Sequence, residues 1–366
     1  MTPSDLKKNQ INSAIELFSK GEINQALDAV QDLFKEYPND PLLFNIRGAC
    51  HAGLGQLDVA VKNYEEAISI KPDYAKAHFN LGGSLHELGQ LKAAVKSYEK
   101  TLEIEPGYAE AHNNLGNVFK ELEQNDAAVK SYKKALEFKP DYVEAQYSLG
   151  IMFQDLGQFA AAINCYEMVL AIKPNFAGVY NNLGNVYKEL KQDDAAIESY
   201  KKALEIKPDY VEAQYSLGIM FQDLGQFEAA INCYEMVLAI KPDFADAYNN
   251  LGVAFLNLDQ LDKAVKSYKA ALKLKPDFVE AINNLGIGLY NLGQMEDAIK
   301  SYEKAIVIQP DFVKAYNNLG NALMELGQLD EALKSYKAAI KLKPDFVEAI
   351  NNLGITFYKL HQLDDA

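Results

Sequence analysis

Seven asparagines stand two residues before a recurring glycine: Asn80, Asn114, Asn182, Asn250, Asn284, Asn318 and Asn352, with Ser148 and Ser216 interrupting the row. Three more, Asn117, Asn185 and Asn321, follow that glycine directly and alternate there with Ile151, Ile219, Val253, Ile287 and Ile355. A carboxamide offers both N–H donors and a carbonyl acceptor, so it pairs with a peptide group whatever side chains that peptide bears. The row therefore has two readings. It grips the backbone of an extended ligand, or it bonds to neighbouring helices of the same kind and serves stacking alone.

Other residue types point away from catalysis. His51, His78, His86, His112 and His361 show no metal-ligand spacing with cysteines or carboxylates. There is no glycine-rich phosphate loop, and no serine in a nucleophile elbow. These residues by themselves are not expected to form an enzyme, and no cofactor is implied. Six residues before successive glycines stand Lys76, Glu110, Glu144, Gly178, Glu212, Asp246, Glu280, Lys314 and Glu348, mostly acidic. Lys120 and Lys188 are the basic groups expected deeper on the same face. Acidic peptide termini are thus poor ligand candidates, and neutral or basic extended segments suit better. The same acids also suit helix starts, where they complement the dipole.

What positions these side chains is a 34-residue period. Ten of the twelve prolines fall on it, from Pro38 to Pro344. In the stretch 313–346, Tyr316, Leu319, Gly320, Leu323 and Leu326 share one helical face, and Leu329, Ala332, Leu333, Tyr336, Ala339 and Ile340 share a second. Gly327 closes the first helix and Pro344 ends the second. Asp345, with Glu348 three residues on, reads as the cap of the next helix. Gly320 and Ala332, almost without side chains, let the paired helices approach. The recurring tyrosines, Tyr64 to Tyr336, and the aromatics after each proline, Tyr74 to Phe346, read as packing residues.

This glycine, alanine, aromatic and proline pattern resembles the tetratricopeptide repeat family from about residue 7 to the end. The resemblance implies an all-α fold: antiparallel helix pairs stacked as a right-handed superhelical solenoid, with a concave groove that binds peptides or protein surfaces. One helix pair cannot bury both its faces, so each is covered by its neighbours. The NNLG sequences are similar to the repeats of O-linked N-acetylglucosamine transferases, and that likeness implies an asparagine ladder holding substrate backbone. Two functions follow as expectations: a free-standing protein-binding scaffold, or the substrate-recognition arm of a larger transferase whose catalytic domain lies beyond residue 366.

The expected organisation is a leader at 1–6 with Ser4 as helix cap, a degenerate capping unit at 7–40, nine regular units at 41–346, and an incomplete unit at 347–366. In the degenerate unit Ala14 replaces the glycine and Val30 the aromatic. Residues 141–159 recur unchanged at 209–227, and 273–287 at 341–355, so the array grew partly by duplication of unit pairs. Turn glycines are replaced by Glu123, Lys191, Asp259 and His361, which marks those turns as weak points. Leu353, Phe357 and Leu360 are expected to face a missing partner helix, and end-to-end self-association there is the expected consequence.

Composition limits the partners. A net charge of −15, with 36 basic against 51 acidic residues, argues against nucleic acid and against an anionic membrane surface. No apolar run approaches the length needed to span a bilayer, and the start of the chain lacks a signal-peptide core. Cys50, Cys165 and Cys233 fall inside helical runs and read as small buried hydrophobes in a reducing compartment, so the cytoplasm is the expected location.

Overall fold

The computed structural model describes residues 3–360, with side chains from residue 6 onward. All the regular structure in that span is helical, in 21 helices. The chain divides into two compact bodies, Met1–Val179 and Tyr180–Ala366. The first holds α1 (Pro3–Ser19), α2 (Ile23–Glu36), α3 (Pro41–Gly53), α4 (Leu57–Ile70), α5 (Ala75–Glu87), α6 (Leu91–Ile104), α7 (Ala109–Glu121), α8 (Asn125–Phe138), α9 (Val143–Asp155) and α10 (Phe159–Ile172). Then come α11 (Ala177–Glu189), α12 (Asp193–Ile206), α13 (Val211–Asp223), α14 (Phe227–Ile240), α15 (Ala245–Asn257), α16 (Leu261–Leu274), α17 (Val279–Asn291), α18 (Met295–Ile308), α19 (Val313–Glu325), α20 (Leu329–Leu342) and α21 (Val347–Lys359).

Within each body, consecutive helices pack in chain order. The first helices of successive repeats also touch one another, α3 with α5 and α17 with α19 for example, whereas no such contact between successive second helices occurs among the described residues. Each stack therefore bends with its first helices on the inner side.

Local chemistry sets this geometry. Within repeats, the turn residue takes a positive φ, as at Gly89 (70°). There the Gly89 N–H donates to the His86 carbonyl (2.8 Å) and the Gln90 N–H to the Leu85 carbonyl (2.9 Å), a Schellman closure. Glu123, Lys191 and Asp259 adopt the same conformation at 58°, 56° and 57° without being glycine. His361 lies outside the described residues.

Two expectations about helix starts need correction. Asp345 does not cap α21: the capping position is Phe346, with no side-chain cap bond. The Phe346 N–H donates to the Lys343 carbonyl (3.1 Å), so Pro344 and Asp345 occupy the centre of a tight turn. Proline pre-sets the turn's first dihedral, and aspartate suits the next place. Only at Asp40, whose carboxylate accepts from the Leu42 N–H (2.8 Å), is a helix start among the described residues closed by its aspartate. Ser4 falls inside α1, which begins at Pro3, a residue favoured in the first turn, and its side chain lies outside those described.

The repeat glycine makes room for a ring rather than for the facing helix backbone. A Cβ built on Gly320 would lie 2.5 Å from Cε1 of Tyr336, and equivalent contacts recur from Gly48 with Tyr64 onward. The tyrosines fill that space and are almost wholly buried. In the first unit both partners change together: Ala14 is fully buried and so is Val30, the smaller side chain making room for the added methyl. The three cysteines are free and buried, and burial pushes their thiols up to about 11. In α21, Leu353 and Phe357 are half-buried, and so is Leu360 just after it. The exposed apolar side chains of that helix are Val347, Ile350, Ile355 and Tyr358.

Candidate functional site

The ten asparagines read from the sequence all lie on first helices, and all are half-buried. Their surroundings divide them into two sets. Asn117, Asn185 and Asn321 each accept, at Oδ1, the hydroxyl of a tyrosine on the second helix of the same repeat: Tyr132, Tyr200 and Tyr336, each at 2.8 Å. Asn321 also accepts from Nδ2 of Asn352 at 2.9 Å. These carbonyls orient buried rings.

The other set forms a ladder between repeats. Nδ2 of Asn80 donates to Oδ1 of Asn45 at 3.0 Å, Asn284 to Asn249 at 3.0 Å, Asn318 to Asn283 at 3.0 Å, and Asn352 to Asn317 at 3.1 Å. Each donor follows its acceptor by 35 residues, one period plus one. The acceptors are buried and the donors half-buried. Asn250 meets a tyrosine instead, its Nδ2 donating to the Tyr215 hydroxyl at 2.9 Å. Asn114 accepts from its neighbour Asn113 at 3.3 Å, and Asn182 is half-buried on α11.

Two gaps in the ladder test this description. Asn113 and Asn181 are acceptors of the buried kind, 5% and 7% exposed. One period plus one later stand Ser148 and Ser216, too short to donate across. The Oδ1 atoms of Asn113 and Asn181 are accordingly buried without a partner. The third orphan has a parallel cause. Tyr268 has Val253 where Tyr132 has Asn117, and Leu256 where Tyr166 has Gln154, its 2.7 Å partner. Its hydroxyl is left unpaired.

The amides of Asn80, Asn284, Asn318 and Asn352 are thus fixed by the preceding repeat, and that of Asn250 by Tyr215. The Oδ1 atoms of Asn80, Asn284 and Asn318 accept no hydrogen bond among the described residues. Asn318 and Asn321 also line a pocket of about 220 Å³ with Ile287 and Tyr290, so polar and apolar side chains of adjacent first helices meet one space. The ladder's acceptors, Asn45, Asn249, Asn283 and Asn317, were not singled out from the sequence, although the doublet Asn-Asn recurs at the period.

Lys120 and Lys188 are each paired with a carboxylate of the next repeat. Nζ of Lys120 lies 2.8 Å from Asp155, and Nζ of Lys188 3.8 Å from Asp223. His86 meets Glu121 at 2.6 Å by the same 35-residue offset. No group of His, Cys, Asp and Glu that could hold a metal ion occurs among the described residues.

Comparisons with known proteins identify the repeats. A family profile described as TPR repeat matches residues 51–89, 82–123, 116–157, 152–191, 184–225, 218–259, 288–327 and 320–360. A second, described as Tetratricopeptide repeat, matches 245–278. A peroxisomal targeting signal receptor of Candida glabrata is 31% identical over 67 residues, 18% of this chain and 11% of the receptor. Hsp70-Hsp90 organizing protein 2 of Arabidopsis thaliana is 34% identical over 59 residues, 16% of this chain and 10% of that protein. The matched stretches are therefore about a tenth of either relative's length. The crystal structure of MamA protein is similar at 30% identity with a TM-score of 0.43, covering 47% of this chain and 94% of that one.

Proposed function

The chain belongs to the tetratricopeptide repeat family, and we propose that it is a scaffold holding an extended peptide or protein segment against the inner face of its first helices. One observation carries this reading: Asn80, Asn284 and Asn318 spend an N–H on the preceding repeat and accept nothing at Oδ1 among the described residues, and Asn80 and Asn318 line pockets. An amide already oriented by one bond loses little freedom on making a second. It would accept a backbone N–H without selecting the ligand's side chains. The carboxylates at Glu212, Asp246 and Glu280, with Lys120 and Lys188 neutralised by partners, favour neutral to basic segments. The two relatives named above, a targeting-signal receptor and an organizing protein, are of this kind by name.

The ladder also stabilises the stack, so a simple Asn→Ala change confounds binding with folding. Changing Asn283 and Asn318 to Ala together removes donor and acceptor at once. Selection from a displayed library of random peptides should recover fewer binders on this paired variant than on the wild type, at equal melting temperature. Equal recovery would remove Asn318 from the ligand site. A second reading, the recognition arm of a transferase like the O-linked N-acetylglucosamine transferases, rests on the NNLG pattern. It uses the same face, and sugar transfer by the full natural protein would distinguish it. Buried free thiols fit a cytoplasmic setting. The exposed Val347 and Ile350 of α21 are where end-to-end self-association would occur.

A further inference from the structure

The inner face is not uniform along the chain. The 220 Å³ pocket of the second body is bounded by Ile287, Tyr290, Asn291, Tyr302, Asn318 and Asn321. The same repeat positions in the first body carry Ala49, Ala52, Gly53, Tyr64, Asn80 and Gly83. Four of the six side chains have shrunk to a methyl or to nothing. A pocket of about 600 Å³ opens there, within the size of small-ligand clefts.

Its far wall is apolar, built by Ile15 and Phe18 of α1 with Leu42 and Ile46 of α3. A Cβ on Gly53 would lie 3.0 Å from Cδ1 of Ile23 and 3.6 Å from the Phe18 ring, so the missing side chain admits Ile23 closely, beside the ring at the end of the pocket. Ile15 is 43% exposed, an apolar side chain presented to the space. Besides Asn45, Tyr64 and Tyr74, three polar groups line it: Asn80, Lys76 and Glu87. Asn80 is fixed by its bond to Asn45 and keeps Oδ1 open. Nζ of Lys76 donates to the Tyr108 hydroxyl at 3.0 Å, and Glu87 forms no ion pair among the described residues. Lys76 and Glu87 lie at opposite ends of α5, about 16 Å apart along its axis. An extended chain covers that distance in about five residues.

Taking the peptide-holding reading above as its premise, we propose that this pocket receives one large apolar side chain of an extended segment, leucine, methionine or phenylalanine, flanked by a basic residue toward Glu87 and an acidic residue toward Lys76. The backbone N–H beside that apolar residue donates to Oδ1 of Asn80. The pocket is then the anchor that sets the register of the ligand, while asparagines elsewhere hold backbone without preference. Buried large side chains in closed pockets dominate such interfaces.

The test uses a random heptapeptide library displayed on phage. The full chain is compared with the double variant Ala49→Ile, Ala52→Tyr, which copies the Ile287 and Tyr290 combination the same fold already carries. Both proteins should melt alike. On the wild type, recovered sequences should carry a large apolar residue between a basic and an acidic one. On the filled variant these same peptides should bind at least about tenfold more weakly. Glu87→Lys should shift the flanking preference from basic to acidic. Recovered peptides that lack the apolar residue, or that bind the filled variant as well as the wild type, overturn the proposal. If such peptides are lost instead on the Asn283, Asn318 paired variant, the anchor fails and the backbone-holding reading stands. Absence of enrichment on every protein sinks both.

Discussion

Nδ2 of Asn318 donates to Oδ1 of Asn283 at 3.0 Å, and this bond joins two repeats rather than two turns of one helix. Asn283 is 3% exposed, so its carbonyl has no water to fall back on. Asn318→Ala should therefore cost about 1–3 kcal/mol, the penalty of leaving a buried acceptor unpaired. Adding Asn283→Ala should recover much of that loss. A double-mutant cycle in urea reads the coupling directly, and strictly additive losses would mean the bond does not form.

Tyr268 gives a prediction of opposite sign. Its hydroxyl is buried without a partner, so Tyr268→Phe should be neutral or stabilising. Tyr132→Phe, Tyr200→Phe and Tyr336→Phe each break a 2.8 Å bond to an asparagine and should cost about 0.5–1.5 kcal/mol. Val253→Asn should supply the missing acceptor and raise stability in a thermal melt. A loss on Tyr268→Phe equal to the other three would show that its hydroxyl is bonded after all.

The period, the helix pairs and the packing tyrosines were legible because each identity recurs at one spacing and each has a single physical role. The ladder was only half legible. Asn318 was visible as a polar residue on the inner side. Its partner depends on the offset between stacked repeats, which places Asn283 opposite it rather than the equivalent Asn284. The helix cap was misplaced by one residue because Asp345 suits a turn centre as well as a cap, and only the Phe346 N–H to Lys343 bond decides between them. The wide pocket was written in Ala49, Ala52 and Gly53, but small residues announce a space only once the face they share is known.

Lys191 holds a left-handed φ of 56° where most repeats place glycine. A non-glycine residue there costs on the order of 1 kcal/mol. Lys191→Gly and Asp259→Gly should each raise the urea midpoint, with the two gains adding. A lowered midpoint would mean that side-chain contacts at those turns outweigh the backbone strain.

The buried tyrosines set an alkaline limit. Burial pushes Tyr98, Tyr132 and Tyr200 up to about 12 and also raises Tyr64, Tyr234, Tyr268, Tyr302 and Tyr336. An unfolded tyrosine loses its proton near pH 10. Above that pH the unfolded chain binds fewer protons than the fold, so stability falls as pH rises. The contribution is complete below about pH 10 and is lost on the way to about 12, at roughly 1.4 kcal/mol per pH unit for each such tyrosine. Circular dichroism and tyrosinate absorbance should change together in that window. Ionisation of the whole row with helicity intact would contradict their burial.

The central claim is that inner-face asparagines hold a ligand by its backbone. The most direct measurement is an N-methyl scan of a peptide recovered from the library, with affinity read by fluorescence anisotropy. First helices of successive repeats stack about 8–10 Å apart, so Asn284 and Asn318 meet an extended chain about three residues apart. Methylation of the amides at that spacing should weaken binding about two- to tenfold each, with the amides between them tolerant and most side chains replaceable. Uniform tolerance of methylation, with affinity following side chains alone, would contradict the account.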